Sequence, residues 1–209
     1  MKITKLGHSS LLISDGGINI VTDPGMFAKV AGDQKNIDII IISHEHKDHF
    51  EVDLLKNILK NNPQAVVVTN SEIGTILEKE GIAFTKVEAG EKTMINGVTL
   101  DAFGNEHIIF GEGRGKCQNT GYLIAGKLFF PGDAYVVPEK PVAVLALPVG
   151  GPWLNRRDVI EYLEKVKPAA YLPIHDGFDS DLPELSKIIA EKTKVKFIPL
   201  PIGEEVEIN

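Results

Sequence analysis

Short apolar runs bounded by glycine, aspartate or asparagine recur along the 209-residue chain. Their length and their content of β-branched residues are typical of strands, and several have no polar alternation, which indicates burial on both faces. The segments predicted as strands are residues 11–13, 18–21, 39–42, 65–69, 98–102, 122–124, 128–130, 142–147, 169–174 and 195–198.

Helical spacing of apolar residues is found in four segments, at 52–59, 71–80, 155–166 and 181–192. Ser71 and Asn155 are of residue types that cap helix N-termini, and we predict them as caps. No linker, low-complexity tract or short-period repeat interrupts the pattern. The sequence therefore predicts one α+β domain over residues 1–209, with mixed sheets inside and helices outside, although it does not determine the strand order.

Charge and composition exclude several classes of protein. The net charge is −7, and the largest basic cluster is a pair such as Arg156-Arg157, which argues against a nucleic-acid groove. No stretch approaches the roughly 20 apolar residues of a membrane span, and the N-terminus lacks the apolar core of a signal peptide. With Cys117 as its single cysteine, the chain has no disulfide framework, and we expect a cytoplasmic protein of unknown oligomeric state.

The most informative segment is the predicted strand at 39–42 together with the polar residues after it. Three of the chain's six histidines and one aspartate stand there within six residues. His44 and His46 are two residues apart and can point the same way from an extended backbone. Asp48 and His49 lie further along the turn and can reach a second position nearby. Because imidazole and carboxylate are ligands of zinc and similar divalent ions, this segment predicts a metal site.

Three further residues of the same types follow apolar strands. His107 comes after the strand at 98–102, Asp133 follows the strand at 128–130, and His175 follows the strand at 169–174. Taken alone, His107 is typical of an ordinary histidine, and Asp133 of a turn residue after a glycine. Together with the first cluster they predict a larger set of metal ligands.

These residues resemble the metallo-β-lactamase superfamily. Residues 44–49 read His-Glu-His-Lys-Asp-His, which matches its HxHxDH motif, and the later histidine, aspartate and histidine follow in the family's order. The segments at 7–9, 22–24, 119–122 and 147–151 are similar to one branch, the small metal-dependent hydrolases that include ascorbate-6-phosphate lactonase-like proteins. The resemblance covers nearly the whole chain and implies a four-layer αβ/βα sandwich with the site at one edge between two sheets.

The resemblance also implies how the metals are held. His44, His46 and His107 would bind one divalent ion, Asp48, His49 and His175 the other, and Asp133 would bridge both. Zinc is the expected metal and manganese the alternative. Two such ions lower the pKa of a bound water and generate a hydroxide nucleophile, whose proton Asp48 could shuttle.

Other candidate residues have alternatives that the sequence leaves open. Asp23 could orient a ligand histidine or be a plain turn residue. His8 could contact substrate or donate a proton, or simply pack at a strand end. Gly151 and Trp153 could form a wall of the substrate pocket, and Arg114 could contact an anionic substrate, although a lone tryptophan usually packs and exposed arginines usually have no specific role.

The leading hypothesis is a two-metal hydrolase acting on a small, anionic ester or lactone metabolite. A phosphodiesterase would use the same ligands. A redox protein with two iron ions would ordinarily carry a glutamate where His46 stands, and a metal-binding protein without turnover would keep the site but lack activity.

Overall fold

The computed structural model describes residues 1–109, 116–176 and 182–208. Arg114 lies outside these ranges. The strands are β1 Lys2–Gly7, β2 Ser10–Asp15, β3 Ile18–Thr22, β4 Ile39–Ile41, β5 Val66–Thr69, β6 Thr85–Lys86, β7 Lys92–Ile95, β8 Val98–Phe103, β9 Gly121–Ile124, β10 Leu128–Phe130, β11 Val144–Pro148, β12 Ala170–Ile174, β13 Lys196–Phe197 and β14 Glu205–Glu207. The α-helices are α1 Val52–Asn61, α2 Ser71–Lys79, α3 Arg156–Val166 and α4 Leu182–Thr193, and a 3-10 helix covers Lys29–Asp33.

Two mixed sheets of seven strands each form the centre of the fold. The first has the order β14-β1-β2-β3-β4-β5-β6, and the second has the order β13-β12-β11-β10-β9-β8-β7. In the first, β1 to β3 are antiparallel neighbours and β3 to β6 are parallel. In the second, β7 to β10 are antiparallel neighbours and β10 to β13 are parallel. The two halves of the chain therefore repeat one plan.

Three apolar cores hold four layers together. In β4, Ile39 and Ile41 pack against the second sheet, whereas Ile40, on the opposite face, packs against α1 and α2. On the other side, Leu145 of β11 packs in a third core with residues of α3 and α4. Central strands covered on both faces need apolar residues at every position, which explains the unbroken runs in the sequence. The predicted α+β, four-layer αβ/βα sandwich is confirmed.

All ten predicted strands and all four helices are present, but four strands were missed. β1, β6, β7 and β14 carry lysine, threonine or glutamate among few apolar residues, and all four lie at or next to a sheet edge where polar side chains reach water. One cap was also wrong. The N-cap of α2 is Asn70, whose side chain accepts a hydrogen bond from the backbone N–H of Ile73, whereas Asn155 caps α3 as predicted.

The carboxyl ends of the strands meet at one edge of the sandwich. β1, β3 and β4 of the first sheet run in one direction, as do β8, β10 and β12 of the second. In open sheets with parallel strands, ligand sites lie outside these carboxyl ends. The loops that leave this edge carry the histidines and aspartates singled out in the sequence.

Candidate metal centre

The structure gathers the predicted ligand residues into two adjacent groups. In the first, ligand atoms of His44, His46 and His107 lie within 4.8 Å of one another. The second group meets the same limit and contains four residues rather than the three expected, namely His8, Asp48, His49 and His175. Two neighbouring groups of this kind are the arrangement that a two-ion site requires.

Asp133 stands between the two groups. Its Oδ2 atom lies 3.4 Å from His107 Nε2, 3.9 Å from His44 Nε2 and 3.1 Å from His175 Nε2. Its Oδ1 atom lies 3.3 Å from His49 Nε2. A carboxylate with histidines of both groups around it has the position of a bridging ligand.

A buried network holds two of the histidines in one tautomer. Asp23 accepts hydrogen bonds from His49 Nδ1 at 2.6 Å, from the Ser43 hydroxyl at 2.6 Å and from the Ser43 backbone N–H at 2.8 Å. His44 Nδ1 donates to the Ser43 oxygen at 2.9 Å. Because the Nδ1 atoms carry the protons, the Nε2 atoms of both rings offer lone pairs to the site.

His107 is fixed in the same way, since its Nδ1 donates to the Ile108 carbonyl at 2.6 Å. The Nε2 atoms of His44, His49 and His107 and the Oδ1 atom of Asp133 are buried without a hydrogen-bond partner among the described residues. Unpaired buried polar atoms are costly, and several that face one another are explained if they share a ligand. This donor set fits divalent metal ions.

Acidic and basic side chains of the site complement one another in charge. Burial would lower the pKa of His49, but the carboxylates of Asp133 and Asp23 outweigh it and raise that pKa well above its ordinary value. The pKa of His175 is also raised, because Asp133 and Asp48 outweigh its burial. Burial would raise the pKa of Asp133, yet the two imidazoles hold it well below its ordinary value. The imidazoles and carboxylates of the site thus favour one another's charged forms.

A cavity of about 130 Å³ opens over the site and is lined by His46, Asp48, His107, Asp133, Pro152, Trp153 and His175. The Trp153 ring lies 5.3 Å from the His175 ring, measured between centroids, and is 8 % exposed. Gly151, at φ 118°, lets these rings approach, because a Cβ there would lie about 3.1 Å from His175 Cε1. His8 does not line this cavity, and Arg114 lies outside the described residues.

Cys117 stands beside the site, with Sγ 3.8 Å from His46 Nε2. Burial raises the pKa of its thiol to about 12, so that the sulfur is protonated at neutral pH. A protonated thiol is a poor nucleophile, and the geometry gives this residue no catalytic role.

Sequence reasoning missed three residues that support the site. Ser43 links Asp23 to His44, and Asn119 holds the loop before Asp133 through hydrogen bonds to Pro131 O at 2.8 Å and from Asp133 N–H at 3.0 Å. Lys5 is 1 % exposed, and its ammonium donates to Pro173 O at 2.9 Å and to Asp176 at 2.5 Å, on both sides of His175. Alternation along β1 was the available sign, because Lys5 shares the inward face of Ile3.

Replacing Asp23 with asparagine tests the buried network. We expect the affinity for metal to fall by about 10–100-fold, the usual effect of losing a partner that orients a ligand histidine. Ser43→Ala should cost less, because His49 keeps its contact with Asp23. Competition with a chromogenic chelator measures both affinities; equal affinities in Asp23→Asn and the unsubstituted protein would contradict the role given to Asp23.

The chain matches one protein family and is similar to several known proteins. Residues 2–175 match the family described as Beta-lactamase superfamily domain. Protein Rv0786c of Mycobacterium tuberculosis is 32 % identical over 182 residues, covering 85 % of this chain and 84 % of that protein. A UPF0173 metal-dependent hydrolase of Carboxydothermus hydrogenoformans is 28 % identical over 193 residues, covering 84 % of each chain. Igni18, a metallo hydrolase from Ignicoccus hospitalis, superposes with a TM-score of 0.81 at 20 % identity over 100 % of this chain and 99 % of that one.

The chain belongs to the beta-lactamase superfamily, since the family match covers most of its length. It is a metal-dependent hydrolase with the metallo-β-lactamase fold. Among the described residues, no helix has the length and apolar character needed to cross a membrane.

Proposed function

We propose that this hydrolase holds two divalent ions. His44, His46 and His107 bind the first ion, Asp48, His49 and His175 bind the second, and Asp133 bridges them. The observation that carries this assignment is the position of Asp133, within 3.1–3.9 Å of histidine Nε2 atoms from both groups. Imidazole and carboxylate ligands without a thiolate favour zinc, with manganese as the alternative.

Divalent ions held by these residues would lower the pKa of a bound water towards about 7 and would thus supply hydroxide at neutral pH. Asp48 lines the cavity, and its side chain is 24 % exposed. Burial would raise its pKa, but His175 and His8 hold that pKa well below its ordinary value, so that the carboxylate stays ionised. Asp48 is therefore the catalytic residue that orients the attacking water and accepts its proton.

The substrate is a small ester or lactone, as in the ascorbate-6-phosphate lactonase-like branch that the sequence resembles. A cavity of about 130 Å³ has room for the reacting group and little more, so that the rest of the substrate lies outside it. Gly151 and Trp153 form the wall against which the reacting group packs. Arg114 is proposed as the contact for an anionic part of the substrate, and the cytoplasm as the place of action.

A panel of small lactones, carboxylic esters and phosphodiesters tests this function. Protein stripped with a chelator should be inactive, and zinc or manganese should restore hydrolysis of lactones or esters. Restored hydrolysis of phosphodiesters alone would replace the proposed substrate class with its alternative. Full metal content without hydrolysis of any member would indicate a binding protein without turnover.

Metal binding should release protons. Without metal the pKa values of His49 and His175 are raised by the neighbouring carboxylates, so that each ring keeps its second proton to higher pH than an ordinary histidine and must lose it to coordinate an ion. Affinity should therefore rise with pH through the neutral range. Titration calorimetry in buffers of different ionisation enthalpy measures the protons released, and an affinity that stays constant between about pH 6 and 8 would contradict this expectation.

A further inference from the structure

His8 belongs to the second ligand group by position, whereas the sequence left open a contact with substrate, a proton donor or plain packing at a strand end. Its side chain is buried and does not line the cavity in which the reacting group fits. Because His8 does not line this cavity, it is not placed to contact a substrate that binds there. Its place in the second ligand group favours a role within the metal centre, and this role rests on the function proposed above.

The His8 ring reaches the site through an irregular stretch of backbone at the end of β1. The pairing of β1 with β2 shifts register between Lys5 and Gly7, and such bulges redirect side chains beside active sites. Gly7 has φ 140°, and a Cβ there would lie 2.5 Å from the Phe27 carbonyl oxygen. His8 itself has φ 50°, in the left-handed region that is unfavourable for a non-glycine residue.

His8 and His175 contact each other through a backbone hydrogen bond and through their rings. The backbone N–H of His175 donates to the His8 carbonyl at 3.3 Å, which joins the end of β1 in the first sheet to the end of β12 in the second. His175 also has a left-handed backbone, at φ 56°, and the two ring centroids are 4.1 Å apart. Both strained residues thus deliver imidazoles to the same point.

Distances between the ligand atoms fit one ion. Asp48 Oδ2 lies 3.3 Å from His8 Nε2 and 3.4 Å from His175 Nε2, and 3.9 Å from His49 Nε2. Two atoms bound to one zinc ion at 2.0–2.2 Å can lie at most about 4.4 Å apart, and all three distances fall within that limit. We propose that His8 is a direct ligand of the second ion through Nε2, so that this ion has three histidines and Asp48 besides the bridging Asp133.

The competing explanation is that His8 only donates a hydrogen bond to Asp48 and positions it. A zinc-loaded crystal structure with anomalous scattering data separates the two. Direct ligation places His8 Nε2 about 2.1 Å from the second ion. A distance beyond about 3 Å, with Asp48 between the ring and the ion, would overturn the proposal while leaving the two-ion site in place.

Substitution gives an independent test in solution. His8→Gln keeps an amide N–H that can reach Asp48 but removes the imidazole, so a positioning role would be rescued and a ligand role would not. We expect the affinity for the second ion to fall at least tenfold while the first ion is retained, as measured by chelator competition. Ser9→Ala, which changes the buried residue directly beside it, is the matched control and should bind both ions normally.

Each outcome decides one question. Unchanged affinity for both ions in His8→Gln would overturn the ligand role. Loss of the second ion in both His8→Gln and Ser9→Ala would show a general disturbance of the β1 end and would also overturn it. Failure of the unsubstituted protein to bind any metal would contradict the proposed function itself, and the role of His8 with it.

Discussion

Asp133→Ala should abolish hydrolysis and reduce the metal content of the protein, because it removes a carboxylate that lies 3.1–3.9 Å from histidine Nε2 atoms of both groups. Loss of a partner outside the ligand set typically costs about 10–100-fold in affinity or activity, so we expect loss of a bridging ligand to exceed about 100-fold. The two imidazoles whose pKa values Asp133 raises would also lose their nearest counter-charge. Elemental analysis and the restored activity of metal-loaded protein measure the effect.

Asp101→Asn is the matched control. Asp101 is also a buried carboxylate on the second sheet, but its partner is Lys140 at 2.5 Å rather than a histidine. This variant should bind metal and turn over substrate normally. If Asp133→Ala retained both ions and its activity, Asp133 would not be the bridge.

Gly25→Ala should disrupt the site from outside the ligand set. A Cβ on Gly25 would lie 1.8 Å from the Asp48 carbonyl oxygen and 2.5 Å from the His49 backbone nitrogen, and neither atom can move without displacing a ligand residue. We expect a loss of about 3 kcal/mol or more in the free energy of unfolding, at the upper end of overpacking effects. Affinity for the second ion should fall as well, since that ion depends on both displaced residues.

Gly81→Ala controls for the general cost of replacing a glycine. Gly81 has φ 68° with open space around its Cβ position, so this variant should lose only about 1 kcal/mol through backbone strain. Urea denaturation and chelator competition measure both variants. Equal effects of the two substitutions on metal affinity would contradict the close packing inferred for Gly25.

The sequence predicted the layers of the fold because central strands that are covered on both faces need uninterrupted apolar runs. Residues 39–42 and 169–174 are examples, and both were found as strands or strand ends. Edge strands such as β7 face water on one side and carry a mixed pattern that resembles a loop. Their pairing depends on neighbours that are distant in the chain.

The ligand residues could be predicted because these histidines and aspartates follow buried apolar strands in the sequence. The residues that position the ligands could not be predicted, because their roles depend on contacts between segments that are distant in the sequence. Ser43 has no distinguishing feature in the sequence, and its role follows from its hydrogen bonds with Asp23 and His44. Lysine is usually a surface residue, and only the contacts that Lys5 makes around His175 reveal its structural role.

The metal content of protein purified without chelator tests the central claim most directly. We expect about two ions of zinc or manganese per chain, as the two ligand groups joined by Asp133 require. One ion per chain would contradict the bridged pair. No bound metal after reconstitution with either ion would contradict the account of the site as a whole.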